Sequence, residues 1–327
     1  MEQSSLTTTI QLYNDLKPKL ERLKSNIESA LTHTISEASI PLFSVESRIK
    51  DDQSLTDKIE KKRYSSPLEQ VEDLCGLRVI CYYQEDISKI CEIVEREFKI
   101  LEKEDKRTTL NEDQFGYTSC HYIVQLRDDW LVHPGARGLD GLKAEIQIRT
   151  MLMHAWAAIS HKLLYKKEND VPPQIKRQLN RLSALIELAD EQFDLIKEMK
   201  SKITNDILND QNISNSTPAL SADSLLALWK RYSPEREFQD TDASSLLEEI
   251  RLAGYDFKEL IENIEKCSPI MASLEQEEAA EADETLPMWT FGGFIRTILD
   301  LTSDTYYESR NTPSTIDELT QKYRSQL

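Results

Sequence analysis

A short alternating segment near the middle of the chain carries polar side chains that an ordinary core would not hold. Residues 144–149 read AEIQIR. Because alternate side chains of a strand share a face, Glu145, Gln147 and Arg149 point to one side and the two isoleucines to the other. Three polar groups on one face are costly to bury without partners, so the segment indicates one wall of a polar ligand pocket.

Three further stretches place charged, aromatic or histidine side chains near the ends of predicted strands. These residues are Arg48 and Lys50 with Lys58, Asp73 with Arg78, and Tyr117 with His121. Together with Glu145 and Gln147 they suit phosphoryl-type chemistry. Acids hold a divalent cation, basic side chains neutralise phosphate charge, and an aromatic ring stacks on a base.

The order of predicted elements shows what must hold these residues in place. Residues 1–205 alternate between apolar residues at helical spacing and short β-branched or aromatic runs. The order is helices, strand, helix, strand, helix, two strands and two helices. This order predicts a mixed β-sheet flanked by helices, an α+β or α/β core, and of these two we expect α+β. The predicted strands are residues 45–50, 75–83, 120–126 and 144–149.

The helix that directly follows the polar strand is predicted to be amphipathic. Its apolar stripe consists of Met151, Ala155, Ala158, Ile159 and Leu163. A polar strand face that leads into such a helix is typical of a pocket wall.

The remainder of the chain is predicted to be helical. Residues 210–221 are polar and form a linker, and residues 222–327 carry apolar residues at helical spacing. An acidic run at 274–285 is predicted to be a flexible loop. We therefore expect two domains. Residues 1–205 carry the candidate catalytic residues, and residues 206–327 form an acidic helical region for which regulation is one candidate role.

The protein is strongly acidic, and the charge is uneven. The 327 residues include 58 acidic and 40 basic side chains, a formal charge of −18, and residues 201–327 hold 24 of the acidic and 11 of the basic ones. The basic residues that an anionic substrate needs are therefore concentrated in the first part. A net acidic chain is a poor general nucleic-acid binder, although a locally basic pocket can hold a nucleotide.

The cysteines and the apolar runs indicate a cytoplasmic protein. The five cysteines include no CxxC pair and several lie in apolar runs, which predicts reduced core thiols. The first residues lack the pattern of a signal peptide, and no apolar run approaches the ~20 residues of a membrane span. We therefore expect no membrane partner.

Five motifs resemble, in the same order, the synthetase domain of the RelA/SpoT-type alarmone synthetases. They are SRIK (47–50) with Lys58 eight residues later, EDLCGLRVI (72–80), GYTSCHYIV (116–124), EIQIRT (145–150) and HAWAAISHKLLYK (154–166). Each motif alone has an ordinary structural explanation, but a chance match of all five in order is remote. Residues 171–197 resemble the tail of a single-synthetase subfamily with extra C-terminal helices.

The resemblance implies a fold and a reaction. The family has a nucleotidyltransferase-like fold and acts as a GTP diphosphokinase of the stringent response. With Mg²⁺ it moves the β,γ-diphosphate of ATP to the 3′-hydroxyl of GTP or GDP and makes (p)ppGpp. No hydrolase motif precedes the synthetase motifs in this sequence.

The resemblance also implies a role for each matching residue. Asp73 is implied as the principal Mg²⁺ ligand. Glu145 is implied as the second acid, which accepts the proton of the attacking hydroxyl or helps to hold the metal. The other implied contacts are Arg48, Lys50, Lys58 and Arg78 for ATP, and Tyr117, His121, Gln147 and Lys106 for the acceptor nucleotide.

Two other functions stay open at the level of the sequence. Many family members have a lysine four residues before the stacking tyrosine, where this chain has Asp113. A toxin-type transferase that acts on a tRNA 3′ end or an adenine nucleotide is therefore the first alternative. The second is a non-catalytic nucleotide sensor whose acidic helices bind a partner.

The expected small-molecule partners are ATP and a guanine nucleotide, with tRNA only under the first alternative. The sequence leaves open whether the chain forms a homo-oligomer and whether its C-terminal helices bind a protein.

Overall fold

The computed structural model describes residues 3–105, 119–163, 172–209, 219–239, 241, 243–282, 285–287, 289–310 and 314–327. The chain divides into two compact units, Met1–Leu195 and Ile196–Leu327. This division and the sequence-based boundary between residues 205 and 206 lie in the same long helix. The boundary at 205 stays a prediction.

Five described strands of the first unit form one mixed sheet, as the α+β assignment requires. They lie in the order β1-β2-β5-β4-β3, in which β2 and β5 are parallel and the other neighbours antiparallel. Strand β3 adds to the four predicted strands. The strands are β1 (Leu42–Ile49), β2 (Cys75–Cys81), β3 (Lys99–Asp105), β4 (Cys120–Gln125) and β5 (Ala144–Thr150).

The helices of the first unit pack around this sheet or connect its strands. Helix α1 runs unbroken through Pro18 and is therefore one helix. The helices are α1 (Gln3–Glu37), α2 (Asp52–Lys62), α3 (Pro67–Gln70), α4 (Gln84–Glu97), α5 (Met151–Leu163) and the long α6 (Pro173–Asn209), in which the division between the units falls.

The two faces of the sheet differ in what covers them. Leu77, Val79, Ile146 and Ile148 are buried on the face against which α1 and α4 pack. Because side chains alternate along a strand, the residues between them point to the opposite face. The alternation therefore separates an apolar core face from a polar face, and it fixes the register of the sheet.

The end of β5 is fastened to α6 by buried polar contacts. The Thr150 hydroxyl donates to Asp190 at 2.6 Å and accepts from the Met153 backbone N–H at 3.1 Å. Asp194 accepts from the Gln84 N–H at 3.0 Å and so caps the first turn of α4. The Thr150 contacts therefore hold β5, which carries Glu145, at its exit, and the Asp194 contact joins α6 to α4.

The apolar stripe of α5 is exposed, although the helix itself is confirmed. Met151, Ile159 and Leu163 are 43%, 55% and 59% exposed, whereas Met153 is buried. The reason is that α5 contacts the sheet through the side that carries Met153, beside the Thr150 hydrogen bonds.

The regular elements described in the second unit are all helices, as predicted. The acidic loop expected at 274–285 is wrong as far as residue 282, because α9 continues to that point. Buried Leu274 and Ala279 explain the difference, since they anchor this acidic stretch of α9 to the core. The helices are α7 (Ala222–Tyr232), α8 (Ala243–Leu252), α9 (Phe257–Ala282), α10 (Phe291–Thr302), α11 (Asp304–Ser309) and α12 (Ser314–Arg324).

The cysteines are all free and buried, which confirms the prediction of core thiols. Among the described helices, none combines the length and the hydrophobicity that a membrane crossing needs.

A buried ion pair ties together the core of the second unit. Arg236 and Glu275 are 9% and 5% exposed, and their two contacts are 2.8 and 2.6 Å long. Arg236 also donates to the Trp289 carbonyl, and the Trp289 N–H donates to Glu275. The pair therefore joins α9 to the segments before α8 and α10.

Removal of one partner of this pair should destabilise the second unit. We expect Arg236→Met to lower the free energy of unfolding by about 3–5 kcal/mol, because Glu275 is left charged and buried. The double variant Arg236→Met/Glu275→Leu should recover part of that loss, because it removes the buried charge but leaves the Trp289 N–H and carbonyl without these partners. Urea unfolding followed by circular dichroism measures both.

The exposed Arg251 on α8 offers a matched control. Arg251→Met should change stability by less than about 0.5 kcal/mol. A double variant that is less stable than Arg236→Met would contradict the account of the pair.

Candidate active site

One row of polar residues crosses four strands of the sheet. Glu46 on β1 lies opposite Arg78 on β2, Arg78 lies beside Gln147 on β5, and Gln147 lies opposite His121 on β4. All four point to the polar face, away from α1 and α4. The sheet therefore brings together three predicted site residues from three different motifs.

A second row lies two residues further along the same face and includes Glu145. Arg48 on β1 lies opposite Gly76, which lies beside Glu145 on β5. The Arg48 side chain extends over Gly76, where an added Cβ would meet the Arg48 Cγ at 3.9 Å. The two rows share one pocket, lined by Glu46, Ser47, Arg48, Asp73, Gly76, Leu77, Arg78, Glu145 and Gln147.

Asp73 lies just before β2 with a lysine on each of its oxygens. The Lys50 Nζ is 2.6 Å from Oδ2, and the Lys58 Nζ is 2.8 Å from Oδ1. Burial raises the pKa of Asp73, but the hydrogen bonds from the two lysines outweigh it, so this pKa lies below its ordinary value. Asp73 is therefore ionised at neutral pH.

The chain positions the two lysines by ending β1 and starting α2 directly afterwards. Lys50 follows the last residue of β1, and its backbone N–H donates to the Leu74 carbonyl at 3.0 Å. Asp51 caps α2 by accepting from the Ser54 N–H at 2.8 Å. Lys58 then lies two turns into the helix, on the side that meets Asp73.

Glu145 is held by His121 and Gln147, and Ser119 supports His121 from its other side. His121 Nδ1 is 3.0 Å from a Glu145 oxygen, and Ser119 Oγ is 2.6 Å from His121 Nε2. A neutral His121 that donates to Glu145 and accepts from Ser119 satisfies both ring nitrogens. Burial raises the pKa of Glu145, yet hydrogen bonds from His121 and Gln147 outweigh it, so this pKa is lowered.

The two arginines of the pocket differ in their surroundings. Arg78 lies 3.6 Å from Glu46 in a partly exposed ion pair. Arg48 is exposed on the edge strand β1 and lines the same pocket. Both guanidinium groups are therefore accessible to an aromatic or anionic ligand from the polar face.

The pocket residues fit a divalent cation such as Mg²⁺. The two carboxylates line one pocket, and the charge of Asp73 acts to raise the pKa of Glu145, which shows that the two sense each other. Mg²⁺ prefers hard oxygen ligands and is commonly bound by one or two carboxylates together with substrate phosphates. The described residues contain no group of three or more potential metal ligands.

The structure brings together eight of the ten predicted site residues, and the other two lie outside its described part. Tyr117 and Lys106 fall between residues 105 and 119, as does Asp113. Their predicted contacts with the acceptor stay predictions.

Sequence reasoning missed two residues of this site. Glu46 lines the pocket and pairs with Arg78, and Ser119 contacts His121. The signal for both was present, since Glu46 alternates with Arg48 and Ser119 alternates with His121. In a strand, this spacing places each side chain on the same face as a predicted site residue.

Comparisons with known proteins agree on one family. Residues 47–170 match the family described as "Region found in RelA / SpoT proteins". The GTP pyrophosphokinase YjbM of Bacillus subtilis is 30% identical over 194 residues, which cover 57% of this chain and 84% of that protein. The GTP pyrophosphokinase YwaC of the same organism is 29% identical over 164 residues, 48% of this chain and 75% of the relative.

A solved structure covers a similar share of the chain. A GTP pyrophosphokinase family protein from Streptococcus pneumoniae is 25% identical, with a TM-score of 0.49. The match covers 57% of this chain and 93% of that one.

Loss of the His121 hydrogen bond should raise the pKa of Glu145. In the wild type, ionised Glu145 stabilises the fold above the ordinary glutamate pKa of 4.5, and this contribution is lost as the pH falls through the lowered value. In His121→Phe the burial of Glu145 is opposed by fewer hydrogen bonds, so stability should depend less on pH below the ordinary glutamate pKa of 4.5. A ¹³C NMR titration of labelled glutamate measures the pKa.

Ser119→Ala is the control, because it leaves the contact between His121 and Glu145 in place. Its Glu145 pKa should stay close to that of the wild type. An unchanged pKa in His121→Phe would show that His121 is not what holds Glu145 ionised.

Proposed function

The chain belongs to the RelA/SpoT family, and on that premise we propose the reaction of its polar pocket. The enzyme is a GTP diphosphokinase that makes (p)ppGpp by transferring the β,γ-diphosphate of ATP to the 3′-hydroxyl of GTP or GDP. One observation carries the assignment of the site. Asp73 and Glu145 line one pocket with Arg48 and Arg78, and Asp73 also contacts Lys50 and Lys58, in a chain whose net charge is −18.

The basic residues suit the donor nucleotide. In the proposed arrangement Arg48 and Arg78 stack on the adenine, and Lys50 and Lys58 contact the phosphates. The lysines are paired with Asp73 here, so their charges are already directed into the pocket. Basic groups fixed before the substrate arrives stabilise the charge that develops on phosphoryl oxygens without a large reorganisation.

Glu145 is proposed to activate the acceptor. As the 3′-oxygen forms a bond to the β-phosphorus of ATP, the bond from that phosphorus to the α,β-bridging oxygen breaks and AMP leaves. The hydroxyl proton moves to Glu145. Because its pKa is lowered, Glu145 is ionised and able to accept this proton at neutral pH.

His121 and Gln147 keep the Glu145 carboxylate in one orientation. Both line or adjoin the pocket, so both are within reach of an acceptor nucleotide. Tyr117 and Lys106 are proposed to complete the acceptor side by stacking on guanine and contacting the 5′-phosphates.

Asp73 and Glu145 are the residues that would hold Mg²⁺, which when bound supplies positive charge next to the phosphates. The same two residues keep their negative charge at neutral pH, as a cation site requires.

The proposal also covers the location and the regulation of the enzyme. The enzyme is proposed to act in the cytoplasm, where its nucleotide substrates are. Residues 206–327 are proposed as a regulatory region, supported by a separate helical core that includes Leu228, Ile264 and Ile298. A second copy of the chain or a protein partner would act on the enzyme through this region.

Removal of either acid should stop the transfer and leave the fold intact. With ATP labelled in its terminal phosphate and GDP or GTP as acceptor, we expect Glu145→Gln and Asp73→Asn to lower the rate by at least about 100-fold. Glu102→Gln, an exposed carboxylate on β3 outside the pocket, should keep the wild-type rate. Circular dichroism confirms that each variant is folded.

The same assay with adenine nucleotides and tRNA as acceptors tests the alternatives. Label that moves only to tRNA or to an adenine nucleotide would contradict the guanine acceptor. Tight guanine nucleotide binding without any transfer would instead identify a sensor.

A further inference from the structure

Arg149, at the end of β5, carries a buried positive charge that the proposed reaction leaves unused. Arg149 is only 7% exposed, and its Nε has no hydrogen-bond partner in the described part of the chain. Its side chain points to the same face of β5 as Glu145 and Gln147. A buried charge is costly unless it has a structural or functional partner, so the contacts of Arg149 matter.

The guanidinium of Arg149 donates to the Gln147 Oε1. An arginine side chain can only donate hydrogen bonds, so the Gln147 oxygen must face Arg149. On the other side, Glu145 lies two residues before Gln147 on the same face of β5 and lines the same pocket, and a carboxylate can only accept. The two neighbours therefore fix the same orientation of the amide.

We propose that Arg149 is a positioning residue that locks Gln147 as a hydrogen-bond donor toward Glu145 and the acceptor substrate. The inference rests on the proposed function, since the acceptor is the substrate of that reaction. Gln147 lines the pocket, and its amide nitrogen carries two hydrogens. One serves Glu145, and the other is offered to a hydrogen-bond acceptor atom on the incoming nucleotide.

A charged arginine suits this task better than a neutral partner. A hydrogen bond from a cation polarises the amide that accepts it, which makes the amide N–H a stronger donor. A free amide could instead rotate by 180° and place its oxygen against the Glu145 carboxylate. Arg149 therefore acts on specificity as well as on the base, because a substrate with a donor at this position meets a second donor.

A double-variant cycle tests whether Arg149 acts through Gln147. Arg149→Met should lower kcat by about 10- to 100-fold with GDP as acceptor, as removal of an outer-shell orienting group typically does. The KM for ATP should change by less than about twofold, because Arg149 does not line the pocket. Gln147→Met should lower kcat similarly, and Arg149→Met/Gln147→Met should be no worse than Gln147→Met.

Two conservative variants separate positioning from a merely structural role. Arg149→Lys keeps a cationic donor and should recover part of the kcat that Arg149→Met loses. Gln147→Glu keeps an oxygen for Arg149, so thermal stability should hold, yet the donor toward Glu145 is gone and kcat should fall as in Gln147→Met.

Several results would overturn the inference. These are wild-type kcat in Arg149→Met, wild-type kcat in Gln147→Glu, or an Arg149→Met effect of undiminished size in the Gln147→Met background. Exchange of the Gln147 side-chain amide protons, followed by NMR, gives a readout independent of catalysis. The exchange should be slow in the wild type, faster in Arg149→Lys and fastest in Arg149→Met.

This last measurement also separates two kinds of failure. A wild-type protein that transfers nothing contradicts the proposed function, and the amide exchange then decides alone whether Arg149 orients Gln147. Equal exchange rates in the wild type and Arg149→Met would overturn the positioning role.

Discussion

A half-buried glutamate that must stay ionised is the constraint on which the rest of the active site depends. Burial acts to protonate Glu145, and the hydrogen bonds from His121 and Gln147 reverse that tendency. His121 comes from β4, and Gln147 comes from the same strand two residues away. The register between β4 and β5 is therefore part of the chemistry, since a shift of β4 by one residue would turn His121 to the core face and away from Glu145.

The second acid is handled in a different way. Asp73 has a lysine on each oxygen, one from the end of β1 and one from α2. In the proposed reaction the lysines serve the phosphates and Asp73 serves the cation. The ion pairs thus hold two positive groups and one negative group together before a substrate binds.

Much of this arrangement could be predicted from the sequence because it depends on local periodicity. The alternation in 144–149 assigned Glu145, Gln147 and Arg149 to one face, and the motif order indicated which other segments join them. Contacts between strands could not be predicted from the sequence, because the register of the sheet is set by long-range pairing. The pair between Arg78 and Glu46 and the contact between His121 and Glu145 are of that kind.

Errors arose where tertiary packing outweighs local pattern. The acidic run after residue 274 has the composition of a loop, yet buried Leu274 and Ala279 keep it helical. Conversely, the apolar stripe of α5 has the spacing of a core face, yet the helix packs through another side. In both cases the decisive fact is which face meets a neighbour, and single-sequence composition does not contain it.

The central claim is that the Glu145 carboxylate meets the attacking hydroxyl of a nucleotide on the polar face of the sheet. A crystal structure with Mg²⁺, GDP and an ATP analogue whose α,β-bridging oxygen is a methylene group tests it most directly. The account predicts the acceptor 3′-oxygen within about 3 Å of a Glu145 oxygen, with the triphosphate against Lys50 and Lys58. An acceptor whose 3′-hydroxyl faces away from Glu145 would contradict it.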